Sequence, residues 1–226
     1  MGFFTYAFNW LSSSQQWHGA GGIPARVLQH LGYTGLSLLV AALIAVPLGI
    51  VIGHTGRGRF ALVSLANIWR AIPTLGLLIM MAVLLGFSAL TWLIPLVVLA
   101  IPPILVNSCE GVAGVDPDLK DAALGMGMTQ WQLLRKVELP LATPLIVLGL
   151  RTAAIFVVAT ATIAAEIALG GLGRYIIDGL AADNYGEVAG GALIVVVLAL
   201  AVQLFFAGVR RLIVPTGLRS QGKGPR

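Results

Sequence analysis

The sequence predicts an all-α integral membrane protein with about five transmembrane helices. Of 226 residues, 58% are hydrophobic and only 10% charged, and the mean hydropathy is +0.94, more than a soluble core of this size requires. Two uncharged runs, Leu31 to Gly53 and Ala71 to Cys109, hold 23 and 39 residues, where about 20 cross one bilayer. The Lys and Arg residues, which set a pI near 9.9, collect between the apolar runs. They form no basic, aromatic face of the kind that binds nucleic acid.

Residues 1–30 are rich in Trp, Phe, Ser, Gln and Gly. Without a basic start or a sustained apolar stretch they do not read as a cleavable signal; they read as an interfacial segment with Phe3, Phe4, Trp10 and Trp17 at headgroup depth. The membrane domain covers residues 31–213. Span one is Leu31 to Gly53. The 39-residue run is roughly 58 Å long as a helix, so it holds most of two crossings, divided at Gly86-Phe87-Ser88. Span two then runs from about Phe60 to Leu85, and span three from about Ala89 to Val106, kinked by Pro95, Pro102 and Pro103. Spans four and five are Leu141 to Ile167 and Ala189 to Val209. Residues 214–226 form a polar tail. No soluble second domain or internal repeat is evident.

Between spans three and four lies a polar hairpin, residues 111–140. Asp116 before Pro117 pairs an N-cap carboxylate with proline at the first helical position, and Asp118 adds first-turn negative charge that favours the macrodipole. Ala122, Ala123 and Leu124 continue that helix. Gly125 and Gly127 weaken it and admit a left-handed residue or a close backbone approach. Thr129 with Gln132 reads as a capping box that opens a second short helix, and Pro140 marks a boundary near its far end.

If the hairpin is cytoplasmic, the inside segments carry Arg57, Arg59, Lys120, Arg135, Lys136, Arg210, Arg211, Arg219, Lys223 and Arg226, against Arg26 and Arg174 outside. That bias places the N-terminus outside and the C-terminus inside.

The hairpin resembles the EAA loop of permease subunits in ABC-type importers. It reads Asp121-Ala122-Ala123, three residues, Gly127, nine residues, Val137, one residue, Leu139 and Pro140, with Asp for the usual Glu and Val for the usual Ile. ANIWRAIPTLGLL from Ala66, IPPILVNSCEGVAGVDPDLKDAALGMGM from Ile101, VELPLATPLIVLGLRTA from Val137 and ATATIAAEIALGGLGRYIIDGLA from Ala159 are similar to permeases that import osmoprotectants such as glycine betaine, carnitine or choline. The related methionine importer permeases share the five-span plan. The resemblance implies a type I ABC importer permease fold in a prokaryotic cytoplasmic membrane. Two permease subunits, identical or paralogous, form the pathway, and an extracytoplasmic solute-binding protein delivers cargo. A pair of ABC ATPase subunits holds the ATP-Mg and seats the cytoplasmic loops in its grooves. Asp121, Ala122, Ala123, Gly127, Leu139 and Pro140 would form the ATPase-coupling loop. Glu166 is a departure, since such permeases tend to carry an uncharged residue before the Gly-Gly-Leu-Gly turn.

Ionisable groups at membrane depth are costly and usually face a bundle interior or a water-filled cavity. Arg70, Arg151 and Glu166 are therefore candidate pathway or gate residues, with Asn67, Asn107 and Thr160 as amides and hydroxyls that either line the pathway or tie helices together. Arg151 and Glu166 are about 22 Å apart along one helix, so Arg151 needs another partner, Glu110 or a helix-terminal carbonyl; Arg70 can also snorkel to the inner face. The Gly170-Gly171-Leu172-Gly173 turn is expected outside, as a connector or a docking point for the binding protein. Cys109 is single, and His18, His30 and His54 lack any metal-ligand spacing, so no catalytic or metal site is expected. No GxxxxGK[ST] loop is present, so no cofactor is expected in this chain. A methionine or other amino-acid permease is the alternative. An ATP-independent secondary transporter, which calls for inverted repeats, is more distant, as is an intramembrane enzyme.

Overall fold

The structure, a computed structural model, describes residues 2–69, 72–167 and 170–213, without the side chains of Val63 and Asn67. All regular structure among these residues is helical, as it must be in lipid, where backbone groups find partners only within the protein. The helices are α1 (Phe3–Leu11), α2 (Ile23–Thr55), α3 (Arg59–Trp69), α4 (Thr74–Leu85), α5 (Ala89–Ala113), α6 (Pro117–Gly125), α7 (Gln130–Leu133), α8 (Leu139–Ile163), α9 (Gly173–Ala181) and α10 (Tyr185–Ile213). Helices α2, α5 and α10, together with the segment from α7 through α8, are long and apolar enough to cross a membrane.

Close helix approach organises the bundle. His30, Thr34, Ser37, Ala41, Ala45, Gly49 and Gly53 recur every three or four positions and are buried along one face of α2, a spacing that aligns them on one side. Small side chains there let backbones approach. A Cβ on Gly49 would lie 2.7 Å from the Leu105 carbonyl oxygen, and one on Gly53 2.5 Å from that of Cys109. On another face α5 receives α8, with Gly149 against Asn107 and Pro103. The core between the three helices is Ala41, Ala45, Leu96, Ala100, Ile104, Ala153, Val157 and Ala161.

Several boundaries differ from expectation. Span two is not one helix but α3 followed by α4, with Pro73 extended at φ −65°, ψ 112° just before α4. Proline lacks the N–H and biases its predecessor away from helical angles, a local signal that hydropathy overrides when read alone. Span three continues past Val106 to Ala113 with its three prolines inside the helix. Span one begins at Ile23, with Pro24 in the first turn. Trp10 is buried within the protein: it packs edge-on against Tyr175 at 5.0 Å and fills the space where Gly190 carries no Cβ. Phe3, Phe4 and Trp17 are exposed.

Candidate functional site

The hairpin forms as its caps dictate. Asp118 N–H donates to Asp116 Oδ1 at 2.9 Å, and Pro117 opens α6. The helix ends in a Schellman motif: Gly127 N–H donates to Leu124 O at 2.9 Å and Met128 N–H to Ala123 O at 3.2 Å. Gly127 sits at φ +85°, where only glycine is unstrained. Of the two roles open to it, the left-handed one is realised, because among the described residues nothing beyond its chain neighbours lies within 4 Å of a Cβ placed there. The capping box opens α7 in both directions: Gln132 N–H donates to Thr129 Oγ1 at 3.3 Å and Thr129 N–H to Gln132 Oε1 at 2.9 Å.

At the far end of the hairpin Pro140 lies beside a boundary, from π turn to α8 at Leu139, but the helix does not break there. Helix α7 runs through a π turn, Leu134–Glu138, directly into α8, and Leu139 N–H donates to Leu134 O. The wider turn accommodates a proline, which offers no N–H and crowds the carbonyl four residues earlier. An extra residue in a turn also rotates every later side chain by about 100° relative to an unbroken helix.

Asp121 and Ala122 are exposed, and Ala123 is turned inward with 2% of its surface accessible. The outer face of α6 is therefore formed by Leu119, Asp121, Ala122, Leu124 and Met126, not by Ala123. Leu139 is half-buried and Pro140 exposed.

Beneath the hairpin lies a polar cluster that the sequence reading did not assemble. Glu138 is 1% exposed. Its Oε2 is 2.5 Å from His54 Nδ1 at the end of α2, and its Oε1 is 2.9 Å from Lys120 Nζ on α6. Lys120 also donates to Val112 O on α5 at 3.3 Å. Beside it, Arg59 clasps Glu110 through Nε–Oε1 at 3.0 Å and Nη2–Oε2 at 2.5 Å. Glu110 is thus not the partner of Arg151.

At the opposite end of α2, His30 is fully buried. Its Nε2 lies 3.0 Å from Val158 O and its Nδ1 3.4 Å from Leu172 N. A carbonyl only accepts and an amide N–H only donates, so the ring is the neutral tautomer with its proton on Nε2. Gln29 Oε1 accepts from Gly171 N–H at 3.0 Å, which fastens the glycine turn to α2. Burial pushes the Tyr175 phenol above its ordinary pKa, and it donates to Gly21 O at 2.6 Å.

Among the described residues, no hydrogen bond or ion pair joins one pathway candidate to another. Arg70 lies outside the described residues, as does the side chain of Asn67. Asn107 donates to Pro103 O at 2.7 Å, within α5, and Thr160 is buried on α8. Arg151 is half-buried there. Glu166 is exposed and borders an otherwise apolar groove of about 440 Å³ with Leu75, Ile79, Thr162, Ile163, Ile176 and Ile177. Among the described residues no group of three His, Cys, Asp or Glu is placed to hold a metal ion.

Residues 45–216 match the family described as "Binding-protein-dependent transport system inner membrane component". The chain belongs to that family. Its members are permease subunits of ABC transporters, and this chain is a multi-pass membrane permease. It is 35% identical to the glycine betaine/carnitine/choline transport system permease protein OpuCB of Bacillus subtilis (strain 168), over 84% of this chain and 88% of that one. It is 30% identical to the osmoprotectant import permease protein OsmW of Salmonella typhimurium, over 88% and 95% respectively. Among solved structures, the methionine ABC transporter MetNI in an inward-facing conformation matches with a TM-score of 0.72 at 25% identity, covering 84% of this chain and 95% of that one. The type I ABC permease fold follows from this likeness.

Proposed function

We propose that this chain is the transmembrane permease subunit of an ATP-driven importer for osmoprotectants, quaternary ammonium compounds such as glycine betaine, carnitine and choline. The observation that carries this reading is the likeness to osmoprotectant permeases over more than four fifths of both chains. In this account the chain does no covalent chemistry. A partner pair of ABC ATPases binds ATP-Mg, a second permease subunit completes the pathway, and an extracytoplasmic binding protein delivers cargo. The exposed face of α6, with Leu119, Asp121, Ala122 and Met126, seats on the ATPase. When the ATPase pair closes on ATP, the two coupling hairpins move, and the bundle switches between inward and outward access because ATP and cargo bind the two states unequally. The hairpin faces the cytoplasm, the N-terminus lies outside, and the membrane is the prokaryotic cytoplasmic one. Glu166 supplies a negative charge to the apolar groove that it borders.

The MetNI likeness favours a second reading, a methionine permease, at lower identity. Uptake into vesicles holding this chain, its ATPase and its binding protein separates the two. ATP-dependent accumulation of betaine, carnitine or choline is expected; accumulation of methionine alone would replace the first reading with the second.

A further inference from the structure

Glu138 stands at the position that the loop pattern leaves free, between Val137 and Leu139, yet it is the most buried acid beneath the hairpin. A buried carboxylate must be paired on both oxygens, and here each oxygen goes to a different element. Oε2 holds His54 of α2 and Oε1 holds Lys120 of α6, while Lys120 reaches on to Val112 O of α5. We propose that Glu138 is a positioning residue that transmits displacement of α6 to the α2–α5 pair. This inference rests on the reading that α6 docks on the ATPase.

Three features make the link stiff. Gly53, next to His54, presses α2 against the Cys109 and Val112 region of α5 with no room for a Cβ, so those helices move together at this end. The π turn aims Glu138 inward instead of along the exposed face of Arg135 and Lys136. Moving α6 away from α2 would strip one oxygen of a buried carboxylate of its Lys120 partner, so small displacements are passed on and not absorbed.

The test uses the whole complex of this chain with its ATPase and binding protein in proteoliposomes, with glycine betaine as cargo. Glu138→Gln keeps the shape and removes the charge; Lys120→Gln, at a residue whose side chain is 22% exposed, frees α6 and leaves His54 paired. Both complexes are expected to assemble and hydrolyse ATP while importing at least about 10-fold less cargo per ATP, and the double variant should be no worse than either single one. An unchanged ratio in both would overturn the proposal and leave the cluster a structural tie. If Glu138→Gln fails to assemble, the ratio in Lys120→Gln decides by the same criterion. A disulfide between Met126→Cys and a cysteine on the ATPase, formed in the otherwise unaltered complex, keeps the parent reading separate. Its absence at every ATPase position tried would refute the docking itself; its presence with normal ratios would refute only the role of Glu138.

Discussion

Substitution at Gly127 separates two reasons for a glycine there. Its φ of +85° is a left-handed conformation that costs a residue with a Cβ about 1–2 kcal/mol, and asparagine less, since its side chain tolerates this region. Among the described residues no atom beyond the chain neighbours lies within 4 Å of the added Cβ, so the penalty there is conformational. A shift of that size changes the ratio of capped to unwound hairpin by about 5- to 30-fold. Cargo imported per ATP hydrolysed in proteoliposomes should therefore fall in the order Gly127, Gly127→Asn, Gly127→Ala, Gly127→Val. Circular dichroism of the purified variants should show the transmembrane helices intact. Equal and complete loss of coupling in the Asn and Ala variants would refute the conformational argument, and would mean that the partner needs the space itself. Full coupling in the Val variant would refute any requirement at this position.

Gly149→Val should destabilise the bundle by about 1–3 kcal/mol through overpacking, because its Cβ would lie 2.9 Å from both Asn107 Cβ and Pro103 O; Gly208→Ala, with no atom of the described residues within 4 Å of its Cβ, should leave detergent-solubilised thermal stability unchanged. His30→Leu leaves the buried Leu172 N–H without its acceptor, while Val158 O keeps Thr162 as a donor, so a loss of about 1–3 kcal/mol is expected, with faster proteolysis at the glycine turn. Glu166→Gln should reduce uptake of cationic choline more than that of zwitterionic glycine betaine; an equal effect on both would count against a role for its charge in the groove.

Local chemistry made the hairpin legible: Asp116 with Pro117, Thr129 with Gln132 and the glycine at 127 each act over a few residues, and each forms as its residue types dictate. Hydropathy located the long crossings but read through Pro73, because the apolar run continues on both sides of it. Pro140 marks a change of helix type at Leu139 and not a break, since a π turn lets the helix pass it. The Glu138 cluster was out of reach because His54 is 84 residues from Glu138, and no local pattern reports such a pairing. Two signals pointed toward it: a single acid between the Arg135-Lys136 pair and the apolar run that starts at Leu139, and the small-residue stripe on α2 that ends at Gly53, beside His54. His30 heads the same stripe, which marks it as buried rather than interfacial.

Coupling to a cytoplasmic ATPase requires the hairpin on the inner side of the membrane. Met126 is 73% exposed at its tip, and the native Cys109 is fully buried, so Met126→Cys gives one reactive thiol on a quiet background. A membrane-impermeant maleimide should label it in inside-out vesicles and not in right-side-out ones, and bound ATPase should protect it. Labelling from the outer face would contradict the account.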